Sequence, residues 1–146
     1  NVVHGSAALT LAKALTVYEA FGEADVPDDG QRYFVVSPAG WADLLQIDQF
    51  SRAEYVGETD LPYAGGMTAK RWLGFLWFTH SGLSISSTTR DCHAYHSSSV
   101  GLATGSDVRT EMNYVPEKVS NLITSYFSAG SVMIDNDGAI ECQITE

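Results

Sequence analysis

The spacing of apolar residues near the start of the chain has the period of a helix. They recur every three or four positions, which places one apolar stripe on a helix; the residues are Leu11, Leu15, Tyr18 and Phe21. We therefore predict a helix from about Leu9 to Glu23, capped by Thr10 or Ser6. Pro27, in an Asp- and Gly-rich turn, ends it because proline cannot continue a helix.

A short strand and a second helix follow. Arg32–Val36 is a continuous run of β-forming residues, which predicts a strand buried on both faces. Ser37 is a favourable N-cap and Pro38 suits the first helical position, so we predict a helix that begins there and fades near Asp48. Its buried face would carry Trp41, Leu44 and Leu45.

The rest of the chain indicates loops and strands. The segment 51–70 is irregular, and a loop of that length is usually functional or part of an interface. Residues 81–89 form a polar Ser/Thr-rich loop. We predict strands over 72–79, 92–103, 108–115, 122–134 and 139–144. The Asn/Asp-Gly turn within Ile134–Ile140 predicts a hairpin.

Composition changes this picture in two ways. The 146 residues are 45% apolar and only 18% charged, so the chain can bury a core, and the low charge hints that partners cover part of its surface. The net charge is −10, and Lys70-Arg71 is the only adjacent basic pair. A phosphate-binding surface needs clustered cations, so specific nucleic-acid binding and binding to an anionic membrane are both disfavoured.

The cysteines and the ends of the chain add little chemistry. Cys92 and Cys142 make no dense disulfide framework, which is typical of a reduced cytosolic setting. There is neither an apolar run long enough to span a membrane nor a signal peptide at the start. Because the chain begins at Asn1 and moves straight into a helical pattern, we expect a fragment or a processed product.

Candidate chemical sites are weak on inspection. In a strand, Cys92 and His96 share a face but lie about 13 Å apart, too far for one zinc ion, and His93 faces the other way. The serines lack a nucleophile-elbow motif. The carboxylate pairs Asp28-Asp29 and Asp135/Asp137 both lie in turns, where aspartate is favoured for backbone reasons.

Two further features also have simpler interpretations. Gly65-Gly66 is not followed by the Lys-Ser/Thr of a phosphate loop. A cluster of aromatic residues could form a sugar- or base-stacking platform, but its crowding in one apolar strand favours the core; these are Trp72, Phe75, Trp77 and Phe78. We therefore assign no catalytic, cofactor-binding or metal-binding residue and expect no cofactor.

The order of these segments resembles the major capsid proteins of tailed phages. The family has a long helix ending in an Asn/Asp-Val-Pro turn, then an Arg-led apolar strand and a Ser-Pro-capped helix. The matching segments here are Leu9–Leu15, Ala24–Pro27, Arg32–Pro38 and Trp41–Leu45. The likeness continues through Ala69–Phe75, Ser99–Ala103, Val108–Glu111 and Val132–Ile140.

The resemblance implies an α+β fold of the Hong Kong 97 type. Residues 1–31 would hold the spine helix of the peripheral domain, 32–106 the axial domain and 107–146 the strands returning along the peripheral sheet. The family's N-terminal arm and extended loop have no counterpart in this chain, so we expect a partial fold. We carry over no crosslinking residue.

The function that the resemblance implies is structural and not enzymatic. The protein would self-assemble into pentamers and hexamers of a phage or prophage capsid, made in the bacterial cytoplasm, with scaffolding or portal proteins as further partners. We expect an intra-capsomer contact in the irregular segment, at Tyr55, Leu61, Tyr63, Gly65 and Gly66. A small hydrolase and a carbohydrate-binding β-module remain the alternatives.

Overall fold

In the computed structural model, residues 1–3, 5–52 and 69–146 are described. The helices in these residues are α1 (Leu11–Glu23), α2 (Pro38–Leu45) and α3 (Asp48–Ser51). The strands are β1 (Arg32–Val36), β2 (Ala69–Trp72), β3 (Phe75–Thr79), β4 (Ile85–Ser86), β5 (Thr89–His96), β6 (Val100–Val115), β7 (Ser120–Met133) and β8 (Ala139–Thr145). None of the described helices is long and apolar enough to cross a membrane.

The chain forms two compact units. The first, here called the sheet unit, comprises Asn1–Ser99 and Asp135–Glu146, and the second, the ribbon unit, comprises Val100–Ile134. These boundaries lie elsewhere than the expected divisions after residues 31 and 106. The assignment of chain segments to the peripheral and axial domains stays a prediction.

Helix α1 ends at the predicted Glu23 and begins at Leu11, two residues after the predicted start. The Thr10 side chain accepts a hydrogen bond from the Lys13 N–H at 3.4 Å, which confirms Thr10 as the N-cap. Asp25 takes a left-handed conformation with φ +52°, and the Val26 N–H donates to the Phe21 carbonyl at 3.1 Å. This pairing is a Schellman motif, which satisfies carbonyls that the helix end would otherwise leave without partners.

The buried face of α1 differs from the predicted stripe. Ala14, Val17 and Phe21 are buried, whereas Leu15 and Tyr18 are 44% and 43% exposed. Of the predicted stripe, only Phe21 lies fully in the core. The true face is rotated by about one residue, so the prediction was wrong for Leu15 and Tyr18.

The sheet unit is built around β1. Strand β1 pairs in parallel with β3 and antiparallel with β5, while β2 extends the sheet beyond β3 and β8 pairs with β5. One face of β1 is fully buried through Arg32, Phe34 and Val36, and the other is half-buried. The predicted strand is therefore confirmed in its bounds, with only one of its faces completely covered.

Helix α2 follows β1 directly. The Ser37 side chain accepts a hydrogen bond from the Gly40 N–H at 3.0 Å, and Pro38 occupies the first helical turn. Leu44 is buried, and Trp41 and Leu45 are half-buried against the core. The predicted cap and buried face are confirmed.

Two strand predictions were wrong in their continuity. The predicted strand over 72–79 is a hairpin of β2 and β3, because Leu73 and Gly74 take positive φ values of 48° and 75° and reverse the chain. The predicted strand over 92–103 is interrupted by a 3-10 turn at Ser97–Ser99. That turn separates β5 in the sheet unit from β6 in the ribbon unit.

The predicted hairpin over Ile134–Ile140 was also wrong. A turn is present there, with the Asp137 N–H donating to the Asp135 carboxylate at 3.1 Å. However, β7 before it pairs with β6, and β8 after it pairs with β5. The turn therefore joins strands of two different sheets.

The ribbon unit is one long antiparallel hairpin. Its strands β6 and β7 pair from Val100↔Met133 to Val115↔Ser120, with irregularities between Thr104 and Arg109. The tip is a 3-10 turn at Pro116–Lys118, followed by Val119 with φ +48°. Left-handed backbone is strained for a β-branched residue, so this tip is an unusual turn.

Candidate functional site

The predicted contact residues fall outside the part of the chain that the structure describes. Tyr55, Leu61, Tyr63, Gly65 and Gly66 all lie within residues 53–68. Their role in an intra-capsomer contact therefore stays a prediction.

Exposed apolar side chains are concentrated on the ribbon unit. Of the seventeen large hydrophobic residues that are exposed in the described chain, thirteen lie in Val100–Ile134. Leu102 is 74% exposed and Phe127 is 60% exposed, so these are not rim residues of a core. Contiguous exposed apolar surface marks an interaction site in a soluble protein.

The outer part of the ribbon has one apolar face. Side chains of directly opposed residues in an antiparallel pair point to the same face, and successive residues alternate. The pairs Met112↔Ile123 and Tyr114↔Asn121 share one face, and Phe127 lies on it by alternation from Ile123. We call this surface the apolar face; its large residues are Met112, Tyr114, Ile123 and Phe127.

The opposite face of the same segment is more polar. It carries the pairs Arg109↔Tyr126 and Glu111↔Thr124. The Tyr126 hydroxyl donates to a Glu111 carboxylate oxygen at 3.1 Å, which holds the two strands together across the ladder. The ribbon is therefore amphipathic, with different chemistry on its two sides.

A two-stranded ribbon has little stability on its own. A single two-stranded hairpin is marginally stable in water, and three or more strands or a covering element are needed for independent stability. Its free edges also present unpaired backbone groups that template pairing with another chain. The apolar face and the edges together make the ribbon unit the best candidate for a docking surface.

Sequence reasoning missed this surface. The period-2 pattern of a predicted strand does not show whether its sheet has a partner on either side. The signal that could have found it is the pair of long β-forming stretches joined by a short turn at Pro116–Lys118, with no helix between to cover them.

A Ser-His-Asp arrangement lies at the end of β5. The His96 Nε2 is 3.0 Å from the Asp29 carboxylate, and its Nδ1 is 2.7 Å from the Ser98 hydroxyl. The His96 hydrogen bond, more than any other effect, lowers the pKa of the Asp29 carboxyl. By distance alone, this is the cluster that would favour a hydrolase.

The hydrogen bonding of His96 favours a positioning role for the trio. The Ser98 N–H also donates to Nδ1 at 3.2 Å, so the one lone pair of that nitrogen already has a donor. The Asp29 side chain is 42% exposed, unlike the buried carboxylate that orients a catalytic imidazole. With the Ser97–Gln31 hydrogen bond at 2.7 Å, the trio fastens the loop after α1 to the end of β5.

The aromatic cluster belongs to the core. Phe75 and Trp77 are buried, and Trp77 stacks on Phe34 with a centroid distance of 4.0 Å. Trp72 and Phe78 are half-buried. The predicted core position is confirmed for Trp72, Phe75 and Trp77, whereas Phe78 lies on the other face of β3; none of the four side chains is exposed.

The described histidines, cysteines and acidic residues do not gather around a common point. Within residues 1–3, 5–52 and 69–146, no group of three or more such side chains could hold a metal ion. Cys92 lies on β5, as predicted, and His93 is exposed on the other face of the strand.

Comparisons with known proteins agree with one another. The family model described as "Phage capsid protein" matches residues 1–146. A solved structure from Mycobacterium phage Che8 matches with a TM-score of 0.74 and 18% identity, covering 97% of this chain and 52% of that one. The capsid structure of the cyanophage P-SCSP1u matches with a TM-score of 0.68 and 18% identity, covering 92% and 46%.

A third solved structure is less similar to this chain. The SrpI encapsulin from Synechococcus elongatus matches with a TM-score of 0.54 and 10% identity, covering 99% of this chain and 54% of that one. The chain thus spans about half the length of the solved structures that it matches. No curated protein matches it. The predicted α+β capsid fold is confirmed by these likenesses.

Proposed function

The chain belongs to the phage capsid protein family, and we propose that it acts as a structural subunit of a phage or prophage capsid. Copies of the protein join into pentamers and hexamers that tile an icosahedral shell around packaged DNA. The observation that carries this proposal is the apolar face of the ribbon unit, whose four large side chains are each at least 60% exposed. A neighbouring subunit is the occupant that covers it.

The strength of such a contact suits a shell. Burying four large apolar side chains contributes about 6–12 kcal/mol. Immobilising a subunit costs about 4–15 kcal/mol, so one ribbon contact alone gives weak association. Stable assembly then needs several contacts for each subunit, which a closed shell supplies.

The net charge of the chain is consistent with a subunit that encloses DNA without binding it tightly. A net charge of −10 gives no counterion release on contact with phosphates. The partners in this proposal are copies of the protein itself, with scaffolding or portal proteins as further ones. The protein would lie in the virion capsid after assembly in the bacterial cytoplasm.

The segment around Tyr55 and Tyr63 remains our second candidate contact. Tyrosines supply large contact area with a polar end and are enriched in interfaces. This contact would lie within a capsomer.

The test is a matched pair of substitutions on neighbouring residues of β7. Ile123→Asp puts a charge on the apolar face, and Thr124→Asp puts the same charge on the opposite face. We expect Ile123→Asp to lower the yield of shells or rings at least about tenfold, since 1.4 kcal/mol is a factor of ten and burying isoleucine contributes more. Light scattering and negative-stain microscopy measure the yield.

Folding is the control for both variants. Ile123 and Thr124 are both exposed and both lie in β7, so the two substitutions should lower the urea midpoint of the unassembled protein slightly and by similar amounts. Equal assembly of the two variants would contradict the ribbon contact. A loss with Thr124→Asp alone would place the contact on the other face.

A further inference from the structure

The two cysteines of the chain lie directly opposite each other on adjacent strands. Cys92 on β5 pairs with Cys142 on β8 in the antiparallel register, and both residues are completely buried. Directly opposed residues point to the same face of the sheet, with Cβ atoms about 4.5–5.5 Å apart. Both thiols are free in this structure.

The backbone shows which kind of pair this is. The Gln143 N–H donates to the Val2 carbonyl and the Val2 N–H donates to the Glu141 carbonyl, both at 2.8 Å. The residues on either side of Cys142 therefore turn their backbone groups away from β5. Cys92 and Cys142 are then a hydrogen-bonded pair, whose Cα atoms lie ~5.5 Å apart. A disulfide needs a Cα separation of about 4.4–6.8 Å, which this pair meets, and a Cβ separation of about 3.5–4.5 Å, so the two Cβ atoms must move about 1 Å closer to form one.

We infer that Cys92 and Cys142 form an intramolecular disulfide that locks β8 to β5 under oxidising conditions. The oxidant is a small disulfide of the glutathione class. One cysteine thiolate attacks it and releases one small thiolate, and the second cysteine thiolate then attacks the resulting mixed disulfide and releases the other. Two electrons pass to the small disulfide, and the two cysteine protons end on the two small thiols.

The reaction is slow while the sheet is closed. Burial raises the pKa of the Cys92 thiol to about 11 and that of Cys142 to about 12, so the reactive thiolate is scarce at neutral pH. Exchange therefore requires opening of β8. This strand lies at the edge of the sheet. Its outer side is held by a few hydrogen bonds, among them the two with Val2 and the one from the Thr145 N–H to the Ala7 carbonyl at 3.1 Å.

The occasion for this reaction rests on the proposed function. Disulfides are rare in the cytosol and form in oxidising surroundings such as those at a virion surface. A subunit made in a bacterial cell would fold and assemble with free thiols. Release of the particle then exposes it to oxidant, and the bond closes a loop that contains the whole ribbon unit.

The test oxidises the wild-type protein with oxidised glutathione and compares it with Cys92→Ser and Cys142→Ser. Unfolding with an alkylating agent, followed by intact mass and peptide analysis, counts free thiols and finds linked peptides. We expect a Cys92–Cys142 linked peptide, unalkylated wild-type chains, and a thermal midpoint raised by on the order of 10 °C over the reduced protein. Neither single variant should gain stability on oxidation.

Two results would overturn the inference. In the first, both thiols are still alkylated after prolonged oxidation in low urea, which opens β8 transiently. In the second, oxidation yields only glutathione adducts or crosslinks between chains. Shell formation is scored separately in the same samples. Shells whose thiols stay free after oxidation would refute the disulfide and leave the proposed function standing. A disulfide in a protein that never assembles would support the inference and refute the proposed function.

Discussion

Arg32 is a buried cation at the start of β1. Its side chain stabilises the turn that follows α1. It is 5% exposed. Its Nε donates to the Pro27 carbonyl at 3.0 Å, and a terminal guanidinium nitrogen donates to the Val26 carbonyl. The guanidinium also lies 5.7 Å from the centre of the Phe21 ring. One side chain thus ties the turn after α1 to the central strand and to the aromatic core.

The cost of Arg32→Ala follows from these contacts. Each hydrogen bond from a charged donor contributes about 1.5–3 kcal/mol, and a buried cation–π contact adds about 1–2 kcal/mol. Water entering the vacated space recovers part of this. We therefore expect the free energy of unfolding to fall by about 3–5 kcal/mol. Arg32→Lys keeps the charge and loses the planar fork, so it should cost about half as much.

Arg52→Ala is the matched control. The Arg52 guanidinium lies 2.9 Å from the Asp48 carboxylate, closer than the 4.0 Å between Arg32 and Asp28. Both side chains of the Arg52–Asp48 pair, however, are more than half exposed. An exposed helix pair contributes no more than about 0.5 kcal/mol. Urea unfolding followed by circular dichroism measures all three variants. If Arg32→Ala cost no more than Arg52→Ala, the assignment of stability to buried contacts would be refuted.

Two further predictions concern the ribbon tip and the buried thiols. Val119→Gly should stabilise the ribbon by about 1 kcal/mol, because Val119 has φ +48° and glycine adopts this conformation without strain; slower hydrogen exchange of the ribbon amides would report it. The reduced protein should lose stability as the pH rises above about 9. In the folded protein the thiol pKa is about 11 for Cys92 and about 12 for Cys142, above the ordinary 9.0. The folded protein therefore holds these protons more tightly than the unfolded chain does. The contribution of the protonated thiols to stability is complete below pH 9 and is lost as the pH rises through 11 and 12. Urea midpoints against pH measure this, and Cys92→Ala with Cys142→Ala should flatten the slope.

Local signals predicted the parts of the fold that local chemistry decides. The Thr10 cap and the Ser37-Pro38 start of α2 both depend on side chains within three residues of the helix end, so the sequence alone identifies them. The turn at Leu73-Gly74 was missed because a leucine with positive φ carries no turn signal of its own.

Long-range partners were the part that the sequence could not reveal. The Asp-Gly turn before β8 has the residues of a hairpin, but β8 pairs with β5, more than forty positions earlier in the chain. The exposure of the ribbon could not be predicted for the same reason. An apolar strand covered by its own chain and one covered by a neighbouring subunit have the same sequence pattern. The predicted buried face of α1 was wrong because two rows of apolar residues, one residue apart, both fit the helical period.

Assembly is the central claim, and negative-stain microscopy combined with light scattering of the purified full-length protein tests it most directly. We expect closed shells, or rings of five or six subunits, under conditions in which related coat proteins assemble. A uniform small monomer at every concentration and salt tested would contradict the capsid proposal and leave the ribbon's apolar face without its partner.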